Sequence, residues 1–481
     1  MPTPFKQAII TPIPKKPKIT ELKNFRPISN LPFLSKVIER IVVEKLTQHC
    51  FDNELEEPYQ SAYRKNHSCE TALLEVADCI LTNMDSRRVT LLTLLDLSAA
   101  FDTVPHDRFL TRLESEYGIS GSALQWFSSY FQDRYQTVNI RDSMSDAERL
   151  TTGMPQGSGT GPWGYTKYTG PLGYLIRILC ILYHMFADDT QLHKSLDPSS
   201  RTSQFSAKSA IESCISNISS WMSTYRLKLN SDKTEFMILG TRQQVAKMQF
   251  DCISVAGEVI KAKPCIRNLG IHMDSELKMS QHVQHVVRIC YGKLREISSF
   301  RNYLTQEVTK TLVHAVIISH IDYANSLLFG ISQNLVDKLQ RVQNAAARLI
   351  LGHRKHESIT PGLMKLHWLP VRYRIQFKIA TITFKVLTTN EPAYLRKLLD
   401  IQPRTRTRRS QQGTVLNVPR SNLKSAGDRS FRVCAPKIWN SLPASVRNAQ
   451  SLSVFKKTLK TFYFRSAYGH LLECSDKQFS S

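Results

Sequence analysis

Phe186-Ala-Asp188-Asp189-Thr-Gln-Leu192 sets two adjacent carboxylates at the end of the apolar run Ile176 to Phe186, and the reading of this stretch decides the fold. The run is strand-like, and the acidic pair closes it in a turn. A second such end lies upstream. Val89 to Leu97 is mostly aliphatic and β-branched, the pattern of a strand buried on both faces, and Asp96 stands at its end in Leu94-Leu-Asp96-Leu-Ser-Ala-Ala-Phe101-Asp102. An unpaired charge at the rim of an apolar strand is costly. Hard Mg²⁺ ions take oxygen ligands, and phosphoryl transfer to a hydroxyl uses two of them about 4 Å apart, one activating the nucleophile and one holding the triphosphate. Carboxylates on neighbouring rigid strands suit that task. A lone acidic residue at a strand end is more often a solvated cap than a ligand; with two such ends, spacing alone leaves both readings standing.

Working outward, Phe5 to Lys16 reads as an extended strand ending in a basic turn, because each proline excludes helix at the residue before it, and Asn24-Phe-Arg-Pro-Ile-Ser-Asn is likewise extended. Leu34 to Gln48 has helical apolar spacing behind Asn30 and Pro32, and a second helix is expected over Glu70 to Met84. Ser122 to Gln132 is an aromatic helix. Gly153 to Gly173 holds seven of the nineteen glycines and reads as a loop or a place where another backbone approaches. Ser206 to Ser223 is helical, followed by short strands at Leu227 to Asn230 and Glu235 to Leu239. The stripe Leu335, Leu339, Val342, Ala346, Leu349, Ile350 makes an amphipathic helix stopped by Gly352. Alternating strands and helices up to Gly240 argue an α+β, palm-like core, with mainly helical structure after Leu277.

The chain has 481 residues, enough for two to four subdomains, and a net charge of +24, which suggests a polyanionic partner. From Arg341 to Ser481 there are 26 Lys and Arg against six Asp and Glu, net +20, leaving +4 for the first 340 residues. The sharpest cluster is Arg404-Thr-Arg-Thr-Arg-Arg. Ten scattered cysteines with no C-x-x-C pair indicate free thiols and a reducing compartment. His282, His285 and Cys290 could contribute to a zinc site, but a half-buried helix face explains them more simply. No signal peptide is visible, and the longest apolar stretch, Leu172 to Ala187, is too short to span a bilayer. An intracellular location, nucleus or cytoplasm, without a membrane partner is expected; oligomeric state is not legible.

Three blocks in order, Asp96-Leu-Ser-Ala-Ala-Phe-Asp-Thr-Val-Pro-His, Met154-Pro-Gln-Gly-Ser158 and Phe186-Ala-Asp-Asp-Thr-Gln-Leu192, resemble motifs A, B and C of reverse transcriptases, and the non-LTR (LINE-type) retrotransposon polymerases in particular. Asn24-Phe-Arg-Pro-Ile-Ser is similar to the fingers motif, Leu229-Asn-Ser-Asp-Lys-Thr-Glu to motif D, and Asn268-Leu-Gly-Ile-His-Met-Asp to the primer grip. Leu366 to Ile375 and Ala435 to Pro443 resemble the C-terminal tails of such elements. The resemblance implies an α+β right-hand polymerase: fingers at 1–90, palm with motifs A to E at 91–275, helical thumb at 276–352, and a basic, mainly helical C-terminal region at 353–481. It implies RNA-directed DNA synthesis from deoxynucleoside triphosphates on an RNA template and DNA primer. Asp96 and Asp188 would ligate two Mg²⁺ ions, with Asp189 beside them. Phe101 would be the steric gate against a ribose 2′-hydroxyl, its plainer reading being a core aromatic. Arg26 would contact the triphosphate, for which a guanidinium is suited, with Lys15 or Lys16 as a second cation. Gln156 and Gly157 would hold the nascent base pair, and Lys233 would donate a proton to the leaving pyrophosphate.

The departures also carry expectations. The family follows Pro-Gln-Gly-Ser with aliphatic residues; here Gly159-Thr160 and Trp163-Gly164 stand in their place, which predicts a loop without its anchor and weak or absent polymerisation. With no endonuclease domain ahead of the fingers and no ribonuclease H signature behind, a truncated element copy is expected. The rival readings are a catalytically decayed or domesticated copy that only binds nucleic acid, another palm polymerase, and a nucleic-acid scaffold defined by the basic tail at 341–481; from the charge asymmetry, deleting 402–481 should weaken nucleic-acid binding and flatten its salt dependence.

Overall fold

The computed structural model describes residues 1–15, 21, 24–98, 102–402 and 414–478. Lys16, Phe101 and the Arg404 to Arg409 cluster lie outside the described residues. At the centre is a four-stranded antiparallel sheet of β3 (Val89–Leu95), β5 (Leu182–Phe186), β6 (Asp189–Leu196) and β7 (Glu235–Leu239), in the order β7-β3-β6-β5. β3 is buried nearly throughout, which is why its sequence is an unbroken apolar run instead of an alternation. Its period-2 geometry still sorts side chains between two cores. Leu91, Leu95, Phe236, Ile238 and Leu192 face one; Leu92, Met237 and Leu239 face the other.

The first core is covered by α3 (His106–Ser115), α4 (Gly121–Phe131), α5 (Thr160–Thr169), α6 (Pro171–Ile178) and α7 (Arg201–Thr224). The second is covered by α2 (Cys69–Asp85), the hairpin β8 (Cys265–Asn268) with β9 (Ile271–Asp274), and helices α8 (Ser280–Ser299) and α9 (Gln333–Leu351). α2 starts where expected because Ser68 and Thr71 form a reciprocal capping box. α9 stops at Gly352, whose φ of +72° ends the helix in the left-handed region. A separate sheet joins β1 (Gln7–Pro14) antiparallel to β2 (Phe25–Asn30) and parallel to β4 (Tyr135–Ile140). α1 (Phe33–Asp52) packs on α5.

Three expectations need correction. The glycine-rich stretch is a loop only to Gly159; from Thr160 it forms α5 and α6. Its glycines serve close packing: a Cβ on Gly164 would meet Met154 at 2.8 Å and one on Gly173 would meet Glu57 at 2.5 Å. The strand expected from Ile176 begins at Leu182, since Ile176 to Ile178 complete α6. An apolar run does not by itself distinguish a buried helix from a strand. The basic C-terminal region, finally, is no detachable tail. α10 (Val371–Thr389), α11 (Phe431–Ser441) and α12 (Leu452–Gln478) place Ile379, Phe431, Trp439, Phe455 and Tyr463 in the same core as α2 and the hairpin. Removing 402–481 would open that core.

Candidate active site

The register of the central sheet brings the acidic strand ends together. Leu95 of β3 lies opposite Thr190 of β6, so the next step sets Asp96 beside Asp189. Phe186 pairs with Asp189 across a tight turn, which leaves Asp188 at its tip. Asp96 is held from the other side by the segment preceding β7: Asn230 N donates to Asp96 O at 3.0 Å, and Lys233 Nζ lies 2.9 Å from Asp96 Oδ2. Burial first, then the charge of Asp96, raises the Asp188 carboxyl; Lys233 and Arg26 pull it back. Burial, then Asp188 and Asp96, push Asp189 up to about 6. The three carboxylates therefore feel one another's charge with two cations facing them, while among the described residues no group of three or more His, Cys, Asp or Glu side chains is arranged to hold a metal ion.

The loop 153–159 packs against Asp102, six residues after Asp96, and against β2. Gly153 has φ +82°, and a Cβ there would lie 2.6 Å from Asp102 O; Gly157 has φ +125°, and its Cβ would lie 2.7 Å from Ser29 O. Only glycine tolerates both the backbone conformation and the approach. Ser29 N of β2 donates to Gln156 O at 2.7 Å, and Gln156 Nε2 donates to the Asp102 carboxylate at 3.1 and 3.3 Å. Burial raises the Asp102 carboxyl, while Gln156 and Lys15 lower it, so Lys15 also faces this corner. The loop is thus pinned between the fingers strand and the turn after motif A.

The expectation that this segment lacks an anchor is overturned. The fully buried Glu39 of α1 accepts hydrogen bonds from Gly159 N and Thr160 N, satisfying free amides at the start of α5. Trp163 stacks on Phe127 with ring centres 5.9 Å apart and planes at 16°. Gly164 lets Met154 and Phe109 close over the helix. Aromatic packing and a buried carboxylate replace aliphatic side chains.

Residues 13–273 match the profile of the family described as Reverse transcriptase (RNA-dependent DNA polymerase). The chain belongs to that family. Its curated relatives include the probable RNA-directed DNA polymerase from transposon BS of Drosophila melanogaster, 26% identical over 368 residues that cover 73% of this chain and 38% of that protein. The RNA-directed DNA polymerase from mobile element jockey of the same species is 23% identical over 362 residues, with the same two coverages. The chain therefore spans 38% of the length of these relatives. The expected kinship with non-LTR retrotransposon polymerases is borne out, as is the right-hand polymerase fold. Among solved structures, apo telomerase from Candida tropicalis aligns with a TM-score of 0.42 at 11% identity, covering 80% of this chain and 67% of that one.

Of the candidate residues, the fold sets Asp96, Asp188 and Asp189 at neighbouring strand ends with Lys233 against Asp96, directs the charge of Arg26 at Asp188, and sets Gln156 and Lys15 beside Asp102, with Gly157 next to Gln156. Three residues at the site carried no sequence signal. Glu39 lies off the apolar stripe of its helix, on the buried face with Ser35, Leu46 and Cys50. Tyr165 is buried where Asp188, Asp189 and Asp96 all raise its hydroxyl, after burial itself. Gln60 contacts the backbone just before Asp188. No helix among the described residues is long and apolar enough to cross a membrane.

Proposed function

We propose that this chain performs RNA-templated DNA synthesis by two-metal nucleotidyl transfer, with Asp96, Asp188 and Asp189 as the carboxylates that hold two Mg²⁺ ions. One observation carries the reading: the sheet register sets three carboxylates at adjacent antiparallel strand ends, where burial and then neighbouring carboxylate charge raise Asp188 and Asp189. An all-oxygen donor set suits a hard divalent cation, and reverse transcriptases generally use divalent ions. When bound, the ions would polarise the primer hydroxyl and the triphosphate.

The remaining work falls to the chain. Arg26, whose charge already reaches Asp188, is assigned to the triphosphate together with Lys15 or Lys16. Gln156, its amide fixed by Asp102, and Gly157 position the nascent base pair. Phe101 is assigned to exclusion of the 2′-hydroxyl. Lys233 is 63% exposed and held by Asp96; once that carboxylate is otherwise engaged, its ammonium is free to protonate the leaving pyrophosphate. Template RNA and DNA primer would lie across fingers at 1–90, palm at 91–275 and thumb at 276–352, with the basic residues from Arg341 onward, net +20, neutralising phosphates.

The test is primer extension on poly(rA)/oligo(dT) with Mg²⁺. Wild type should extend, and Asp96→Asn or Asp188→Asn should abolish extension while hybrid binding persists. Wild-type binding without extension would instead favour a copy that only binds nucleic acid.

A further inference from the structure

The segment Tyr59-Gln60-Ser61 runs parallel to β5 as a short extra strand, with Met185 N donating to Tyr59 O at 2.8 Å and Ser61 N donating to Met185 O at 3.0 Å. The Gln60 side chain, 2% exposed, turns toward the end of β5. There it grips both polar atoms of one residue: Ala187 N donates to Gln60 Oε1 at 3.0 Å, and Gln60 Nε2 donates to Ala187 O at 3.4 Å. Ala187 has φ +56°, a left-handed conformation that an alanine adopts only when its surroundings impose it. Asp188 follows directly, so the path its carboxylate takes out of the turn is set by the backbone at Ala187.

We propose that Gln60 is a positioning residue for Asp188, holding the Ala187 backbone in the left-handed turn that aims the carboxylate at the metal position; this rests on the reading of Asp188 as a metal ligand. The Gln60 oxygen is already satisfied by Ala62 N, which donates to it at 3.0 Å, so the second hydrogen bond it accepts, from Ala187 N at 3.0 Å, serves the turn and not the glutamine. Groups that orient a metal's ligands are typically worth about 10–100-fold in metal affinity.

Mn²⁺ binding to the full chain, followed by electron paramagnetic resonance without nucleotide or primer, tests this apart from polymerase activity. Gln60→Met should weaken Mn²⁺ binding about tenfold or more. Gln60→Asn, which keeps a buried amide but falls one methylene short of Ala187, should weaken it likewise and decides the matter if the Met variant does not fold. Ser61→Ala, on the same buried strand, loses hydrogen bonds to His184 Nε2 and Tyr394 Oη, both at 2.8 Å; it should lower Tm and leave Mn²⁺ affinity unchanged. In an Ala187→Gly background, where the left-handed turn needs no clamp, the loss caused by Gln60→Met or Gln60→Asn should shrink. Folded Gln60 variants that bind Mn²⁺ like wild type, or that lose equally in both backgrounds, would overturn the inference while sparing the metal reading. A wild type that binds no Mn²⁺ would overturn both.

Discussion

Replacing motif B residues with the aliphatic ones common in the family, Gly159→Val with Thr160→Leu, Trp163→Leu and Gly164→Leu, would repair a damaged loop if the segment lacked its anchor. The packing predicts the reverse. At Gly164 even a Cβ would lie 2.8 Å from Met154 Sδ and 3.1 Å from Phe109 Cζ, and those residues are 4% and 0% exposed, so neither can retreat into solvent. Alanine there is nearly balanced: the helix gains about 1 kcal/mol over glycine, and the flexible Met154 side chain can shift. Leucine adds three more carbons to a closed space, which typically costs about 1–3 kcal/mol. At Gly159 a Cβ would lie 3.2 Å from Glu39 Cβ, so a branched side chain would press on the carboxylate that caps α5. Trp163→Leu forfeits the stack on Phe127, about 0.5–1.5 kcal/mol beyond the reduced buried area. Met154 stands two residues before Gln156, and a positioning group displaced by ~1 Å can cost ~100-fold in rate. The quadruple variant should therefore show a lower Tm by calorimetry and slower extension than wild type. A quadruple variant as stable as wild type and faster would refute this account and restore the view that the segment is impaired.

Because Asp189 is pushed up to about 6 and Asp188 is also raised, above an ordinary value of about 3.9, the metal-free fold gains from their protonation. That contribution is complete below about pH 4 and lost as pH rises through about 6; Tm should fall over this window, Mg²⁺ should cancel the fall, and Mn²⁺ affinity should drop below pH 6 as protons compete. A flat metal-free profile would show that neither burial nor neighbouring charge raises these carboxyls. Arg432 holds the buried Asp78 through its backbone N at 2.8 Å and Nε at 2.7 Å. Arg432→Ala, which leaves that carboxylate the backbone N–H but no counter-charge, should cost about 3–5 kcal/mol, whereas replacing both residues by leucine should recover most of it, as read by urea denaturation. Changing the exposed Lys456, Lys457, Lys460 and Arg465 to glutamine should leave Tm intact and make the slope of log affinity against log salt shallower by about 0.7–0.9 for each phosphate no longer neutralised. An unchanged slope would remove this face from the nucleic-acid path.

What the sequence disclosed, and what it hid, follows from the range of the interactions involved. Val89 to Leu95 was legible as a strand because both its faces are covered, and α1, α7 and α9 because their apolar stripes have helical period. Asp96 and Asp188 were legible as strand ends; that they meet depends on a register no local pattern specifies. The helix over Thr160 to Thr169 was missed because glycine is a loop signal in isolation and a packing device beside Met154 and Phe109. Gln60 and Glu39 were missed for a related reason: each acts on backbone atoms distant in sequence, about 120 residues for Glu39 and Gly159, and a single polar residue carries no period.

The C-terminal region was read through its charge, which described its surface and concealed its attachment. α2 supplies the connection. Glu70, Asp78 and Asp85 recur at spacings of eight and seven, which sets them along one stripe of a helix. Glu70 accepts from Ser326 Oγ at 2.6 Å and Lys378 Nζ at 3.1 Å, Asp78 from Arg432, and Asp85 from Asn422 N at 2.9 Å and Leu423 N at 2.6 Å. Glu75, off that stripe, reaches His184 Nδ1 of β5 at 3.2 Å. One helix thus binds the region after the thumb on one side and the strand leading to Asp188 on the other. Tyr394 closes the circuit, its hydroxyl within 2.8 Å of Ser61 Oγ and 3.0 Å of Thr71 Oγ1. Charge on this region can be varied without cutting the chain, but shortening it would remove partners from α2 and open the core they share.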